Sequence, residues 1–366
     1  MSRRFLLFIL SLYLAMAVSS AIAQSNKAWY RYDDLKKDLS GYKDSTGKIK
    51  IRARFSGLGR ARVFRNIIAV SESPSNTYYL LKNGKKLAPD SLYVWDMTFD
   101  CEQEGKIRFR DPVTDKVGFL DSRGNVVIPA NYNDARPFYN GLALVIHHAK
   151  RLCLDGKPYD IEKCEHWMWE GTTALIDTTG RIVADHLDDD QTRNLDWYSA
   201  QLNKAPAEGD GYRSFKTVDG RYYTFLNYES EFHQWFYKSF LPAATAGNFA
   251  LYDQVRLESR SKIRKERCYK KPVFIRKYSG RMKLKLKAIQ NRTIETVIFP
   301  SKLNPFIHTT KDFAAYYTDC NEHNEAKYPV FEVITTRQLK GGNPMQERYE
   351  FLRTVMGYQL ISVTFE

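Results

Sequence analysis

Five cysteines, seven histidines and one dense run of lysine and arginine are the residues of this 366-residue chain whose types could do chemistry. In an oxidising compartment thiols tend to pair, and five is odd, so at least one is left over. Cys153 and Cys164 bracket a short insertion, and a bridge between them closes a small loop. Cys268 and Cys320 share the second half of the chain and form the other candidate pair, which leaves Cys101 free. A zinc reading would recruit Cys153, Cys164 and His166 with His147 or His148, but these spacings match no common finger or ribbon. No metal ligand is assigned. The histidines (147, 148, 166, 186, 233, 308 and 323) are scattered, and the chain has no Gly-x-Ser-x-Gly elbow, His-Glu-x-x-His helix, phosphate-cradling glycine loop or Cys-x-x-Cys pair. No catalytic or cofactor-binding residue and no cofactor therefore follow from motifs. Asp185, Asp188, Asp189 and Asp190 lack the Asp-x-Asp-x-Asp-Gly pattern of a calcium loop and read as a solvated acidic turn. Asn291-Arg292-Thr293 is a glycosylation sequon by pattern, meaningful only in a eukaryotic secretory pathway.

The charge is concentrated. The chain holds 56 Lys and Arg against 42 Asp and Glu, and residues 256–292 alone hold fifteen cations against Glu258 and Glu266, a net +13. Within this run Arg281-Met282-Lys283-Leu284-Lys285-Leu286-Lys287 alternates strictly, which predicts a strand with Lys283, Lys285 and Lys287 on one face. Two readings stand side by side. One is an exposed edge strand whose lysines prevent edge pairing; the other is an electropositive face for an anionic partner. Tyr269, Phe274 and Tyr278 interleave the charges as in a nucleic-acid binder. An exported protein rarely meets nucleic acid, so none is expected here, and another envelope protein, acidic glycans or lipid headgroups are the expected partners.

Export is read from the first residues. Arg3 and Arg4 precede the apolar run 5–18 and the small residues Ser19, Ser20, Ala21 and Ala23, the pattern of a signal peptide cleaved near Ala23. Fourteen residues are short for a span of ~20, and Gln24 offers no thiol for a lipid anchor. Ser2-Arg3-Arg4 with Leu6 and Leu7 partly matches a twin-arginine signal, but the apolar core favours the general secretory route. A periplasmic or secreted location is expected.

The elements that would carry these residues repeat along the first half. Gly41-Tyr42-Lys43-Asp44-Ser45-Thr46-Gly47 aligns with Gly118-Phe119-Leu120-Asp121-Ser122-Arg123-Gly124 and with Ala174-Leu175-Ile176-Asp177-Thr178-Thr179-Gly180, and Tyr78 to Lys85 is a degenerate copy. Each is a strand, a turn with glycine where a positive φ is needed, and a second strand, which is a β-hairpin. A second shared phrase follows, Ala61 to Val70 against Ala135 to Val145. The turn glycines at 47, 84, 124 and 180 lie 37, 40 and 56 apart, so the period is near forty with an insertion at about 147–173. Unequal spacing favours an open array over a closed propeller.

The second copy, Lys116-Val117-Gly118-Phe119-Leu120-Asp121 through Ile128-Pro129, Tyr132, Asp134-Ala135, Phe138 and Gly141-Leu142-Ala143-Leu144-Val145, resembles the WG (KWG) repeat of bacterial proteins. The tryptophan that names the repeat is Ser40, Val117 and Thr173 in the three clearest copies. The resemblance covers residues 39–186. It implies a structural array or surface, since the repeat is a module without a common activity.

The remainder reads as a separate domain. Lys204 to Gly211 has linker composition and the acidic cluster ends the repeat pattern, so the domain boundary is placed between 187 and 211; Asn227 is placed to cap a helix over 228–241 carrying Phe232, Trp235, Phe236 and Phe240, and strands are expected at 328–336 and 349–365 around the turn-rich 340–344. The whole is therefore expected to be mainly β: signal peptide 1–23, a β domain of WG-type hairpin repeats over 24–190, linker 191–211, and an α+β domain over 212–366 with a helix packed on a curved antiparallel sheet. A non-enzymatic binding or scaffold module at the cell envelope is the expected function. The alternative is a hydrolase or small-ligand-binding activity in the second domain, with the repeats as accessory.

Overall fold

The computed structural model describes residues 28–57, 61–96, 98–259, 265–309, 311–338 and 344–365; the expected signal peptide at 1–23 and most of the turn at 340–344 lie outside the described residues. The protein is mainly β, 51% strand and 15% helix, in several antiparallel sheets. It divides into two compact units. The first is the chain through His186 together with Asp319–Glu322, and the second is Leu187–Thr318 with His323–Glu366.

In the first unit every named element from Trp29 to Leu187 is a strand. One turn recurs at 44–48, 81–85, 121–125, 153–157 and 177–181. In each, the N–H of the first residue donates to the carbonyl of the fifth, and the N–H of the fourth donates back to the first. The fourth residue is always glycine, at φ between 81° and 89°. This is a type I turn closed by a glycine bulge. A side chain tightens it: Asp44, Asp121 and Asp177 each accept two backbone N–H groups of their own turn through Oδ1. The same geometry at 217–221 lies in the second unit.

A different glycine constraint operates inside the strands. A Cβ on Gly118 would sit 2.5 Å from the carbonyl oxygen of Ile128 and 2.8 Å from the nitrogen of Ala130, and one on Gly41 would sit at the same distances from Ile51 and Ala53. Both glycines fall where the pairing of Val117–Asp121 with Val126–Tyr132, and of Leu39–Asp44 with Ile49–Phe55, shifts register. The residue after the variable tryptophan position is glycine in these copies because the opposing backbone leaves no room for a side chain. The second shared phrase also has a matched function. Glu102 accepts the N–H groups of Asn66 and Ile67, and Glu104 those of Asn140 and Gly141. Two carboxylates two residues apart thus hold the same point of the two copies of this phrase.

Asp319–Glu322 is bound to this unit from far along the sequence. Cys320 is disulfide-bonded to Cys101 with Cα atoms 5.8 Å apart. The N–H groups of Arg62 and Val63 donate to the Asp319 carbonyl, and Arg65 grips the Asp319 carboxylate with two nitrogens. Both cysteines sit in an apolar cluster with Tyr42, Phe64, Ile68 and Tyr78. This corrects the pairing of Cys268 with Cys320 and the expectation that Cys101 is free: Cys268 is the exposed, unbridged thiol. Cys153 is joined to Cys164, Cα atoms 5.6 Å apart.

In the second unit the stretch 191–211 is not a linker. Leu195–Asn203 is a strand paired with Tyr222–Asn227, and linker-like composition is confined to the loop that follows it. Asn227 caps helix α1 (Tyr228–Trp235), its Oδ1 accepting the Ser230 N–H at 2.9 Å. A π-helical turn, Phe236–Phe240, leads into α2 (Leu241–Ala246), which ends at Gly247 with φ 110°. Six strands form the main sheet: β1 (Leu251–Ser259), β2 (Lys265–Lys270), β3 (Glu295–Ser301), β4 (Val330–Arg337), β5 (Met345–Thr354) and β6 (Gly357–Phe365), in the order β2-β1-β6-β5-β4-β3. The β1–β6 pair is parallel, so the sheet is mixed rather than wholly antiparallel. The aromatic stripe of the first helical segment is core: Phe232, Phe236 and Phe240 pack on Phe331, Phe351 and Tyr358, with Phe232 stacked on Phe331 at 4.5 Å.

Candidate functional site

The basic run folds as helix α3 (Lys271–Gln290), not as a strand. The reason lies in the wider spacing. Phe274, Met282, Leu286 and Ile289 are buried, with Tyr278 packed beside them, and steps of four, four, four and three trace one side of a helix. A strand would have buried Met282, Leu284 and Leu286 together, yet Leu284 is 74% exposed. Pro272 fits the first turn, where no N–H is needed, and the run is otherwise rich in good helix formers.

Helical winding separates the three lysines that alternation placed on one face. Lys283 turns towards the end of α2, where a Cβ on Gly247 would lie 2.9 Å from its Nζ, which puts a cation at the end of the helix whose dipole favours positive charge. Lys285 turns inward to Glu347, Nζ to Oε1 2.5 Å, and Glu347 also accepts from the Tyr349 hydroxyl. Lys287 alone faces water. The single basic face of Lys283, Lys285 and Lys287 is therefore corrected to one cation at a helix end, one in a buried pair and one at the surface.

A different set makes the exposed surface. Arg276, Lys277, Arg281 and Lys287 on α3, Arg292 just beyond it, and Arg267 and Lys270 on β2 are all exposed, and no Asp or Glu occurs from 267 to 294. The Arg281 guanidinium lies 4.3 Å over the Phe365 ring and Lys277 lies 5.3 Å over Tyr269. The electrostatic effect registers on Tyr269: the Tyr278 hydroxyl donates to it, and with Arg267 and Lys277 nearby its pKa is held below the usual tyrosine range. β2 is an outer strand of the sheet. The edge-protecting role considered for the lysine alternation thus falls to Arg267 and Lys270 instead.

Other residues singled out by type are brought into different surroundings. His147 is buried with Nε2 2.8 Å from Asp185 Oδ1, and the His148 ring lies tilted beside it, centroids 4.6 Å apart. Among the described residues no three of His, Cys, Asp and Glu are grouped to hold a metal ion. Asp188 accepts the Asp190 N–H, an acidic turn closed on itself. The insertion at 147–173 is a ribbon of two long strands, Leu142–Cys153 and Trp167–Asp177, tied near its tip by the Cys153–Cys164 bridge. Sequence reasoning missed what fills it. Arg151 lies over Trp167, Trp169 and Tyr159 at 4.4, 5.0 and 5.7 Å and is anchored to Asp115 at 2.6 Å. The signal was available in Trp167 and Trp169 two apart, since strand residues two apart share a face.

A family model of the WG-containing repeat matches residues 118–148. That segment runs from the tightly opposed Gly118 through the turn at 121–125 and the Glu104-bound Asn140 and Gly141 into the ribbon. No curated protein and no solved structure matches the chain.

Proposed function

We propose that this chain, which carries a WG-containing repeat, is an exported, non-enzymatic binding or scaffold module of the cell envelope. In this reading a WG-type hairpin array precedes an α+β domain, and the domain offers the cationic surface of α3 and β2 to an anionic partner. The observation that carries it is the acid-free stretch 267–294 with its exposed Arg267, Lys270, Arg276, Lys277, Arg281, Lys287 and Arg292. Like charges this dense repel one another, and a partner that neutralises several at once relieves that repulsion. The leader sequence with its Ala21-x-Ala23 site supports export, and two disulfides suit an oxidising compartment.

The test is retention on immobilised heparin, a soluble-polyanion surrogate, for the protein and its Arg276→Gln, Lys277→Gln, Lys287→Gln triple variant. The parent should be held at low salt and released by ~0.3 M, since screening shortens to less than about 8 Å above 0.15 M. The variant should elute clearly earlier. Equal elution of the two, or no retention of either, refutes the proposal.

A further inference from the structure

The exposed face of α3 is not uniformly charged. Leu284, 74% exposed, lies at its centre. At ~100° per residue, Lys277, Gly280, Arg281, Lys287 and Arg276 all fall within about 80° of it on the helix wheel. Arg281 and Lys287 flank it at three residues on either side and Lys277 lies two turns back. A Cβ on Gly280 would have no atom within 4 Å, so the space beside Leu284 on this face is open. No helix among the described residues is long and apolar enough to cross a membrane.

Resting on the cationic-surface reading above, we infer that the anionic partner is the surface of an anionic phospholipid bilayer, with α3 lying along it. An acidic polysaccharide would engage the cations and gain nothing from an exposed leucine at their centre. At a bilayer interface the same leucine leaves water for the acyl boundary while the surrounding cations meet headgroup phosphates. The cations from Arg276 to Lys287 span ~16 Å of helix, several lipid headgroups in extent.

Vesicle co-sedimentation tests this, using phosphatidylglycerol/phosphatidylethanolamine vesicles, phosphatidylcholine vesicles as the uncharged control, and the heparin column as the second arm. Leu284→Ser removes an exposed side chain, so the helix persists, as circular dichroism checks. It should weaken binding to the anionic vesicles about three- to tenfold and leave heparin elution unchanged. Leu284→Trp should strengthen vesicle binding, and neither variant nor parent should bind phosphatidylcholine. If Leu284→Ser binds anionic vesicles as the parent does, or if the parent is held by heparin and ignores vesicles, the bilayer inference fails while the cationic surface stands. If neither vesicles nor heparin retain the parent, both fail together.

Discussion

The Cys101–Cys320 bridge makes the sharpest prediction because its partners lie 219 residues apart and sequence spacing argued for a different pair. Cross-linking over that separation removes, in the chain-entropy treatment, ~5 kcal/mol of unfolded-state freedom, against ~3 kcal/mol for the 11-residue separation of Cys153 and Cys164. Cys320→Ser should therefore lower the stability of the first unit by about 3–5 kcal/mol, read as a shift in its denaturant midpoint. Cys101→Ser should cost the same, and the double variant no more than either single one, since each single change already removes the whole bridge. Cys268→Ser should stay within about 0.5 kcal/mol of the parent, its thiol being exposed and unbridged. The connectivity is read directly by non-reducing tryptic mapping, because the five cysteines fall on separate peptides: 87–106, 152–163 (the Lys157-Pro158 bond resists trypsin), 164–181, 268–270 and 312–327. The expected disulfide-linked masses are 87–106 with 312–327 and 152–163 with 164–181. A linked 268–270 with 312–327, or a Cys268→Ser variant as destabilised as Cys320→Ser, would refute the reasoning.

Asp177 should stabilise its turn. Desolvation raises its pKa, but the Thr179 hydroxyl and the N–H groups of Thr179 and Arg181 outweigh this and hold it below the usual carboxylate value. Asp177→Ala should cost ~1–2 kcal/mol at pH 7, by analogy with a lost helix cap. Because the folded pKa is lowered, that stabilisation is complete above the unfolded value of 3.8 and fades as pH falls through the folded one. Denaturation at pH 7 and pH 3 should show the gap between parent and variant narrowing in acid, and a gap that stays constant would contradict the argument. Gly118→Ala should cost ~3 kcal/mol or more because its Cβ would press on backbone atoms. Gly57→Ala, where a Cβ would meet no atom within 4 Å, should be nearly neutral by thermal denaturation, and equal losses at the two positions would overturn the close-approach explanation.

The contrast between elements legible in the sequence and those that were not is physical. The hairpin turns could be read because each is specified within five residues, by a glycine at positive φ and a nearby carboxylate, as at Asp121 and Gly124. The Asn227 cap was legible for the same reason. The fold of the basic run was not, because two periodicities compete over it. The alternation of seven residues from Arg281 to Lys287 matches a strand, but the longer series from Phe274 to Ile289 matches a helix and buries more apolar surface. Strand and helix assign the lysines to different neighbours, so the error in element type carried directly into the candidate site. Cysteine pairing was illegible for another reason. Which cysteine Cys320 meets depends on where Asp319–Glu322 docks, and that is decided by Arg62, Val63 and Arg65 far away in sequence.

That docking has a consequence for how the molecule is made. A chain synthesised from its N-terminus presents Cys101 long before Cys320 exists, and Cys153, Cys164 and Cys268 all emerge in between. Throughout that interval the first unit lacks a piece of itself, and its thiol at position 101 can react only with cysteines that are not its final partner. The unit is completed only once residues 319–322 have been made, more than 200 residues after Cys101. A chain ended before residue 320 would display an unmated Cys101 thiol, open to exchange with any other disulfide it meets. Closure of this bridge thus reports that synthesis has passed residue 320 and that Asp319–Glu322 has docked.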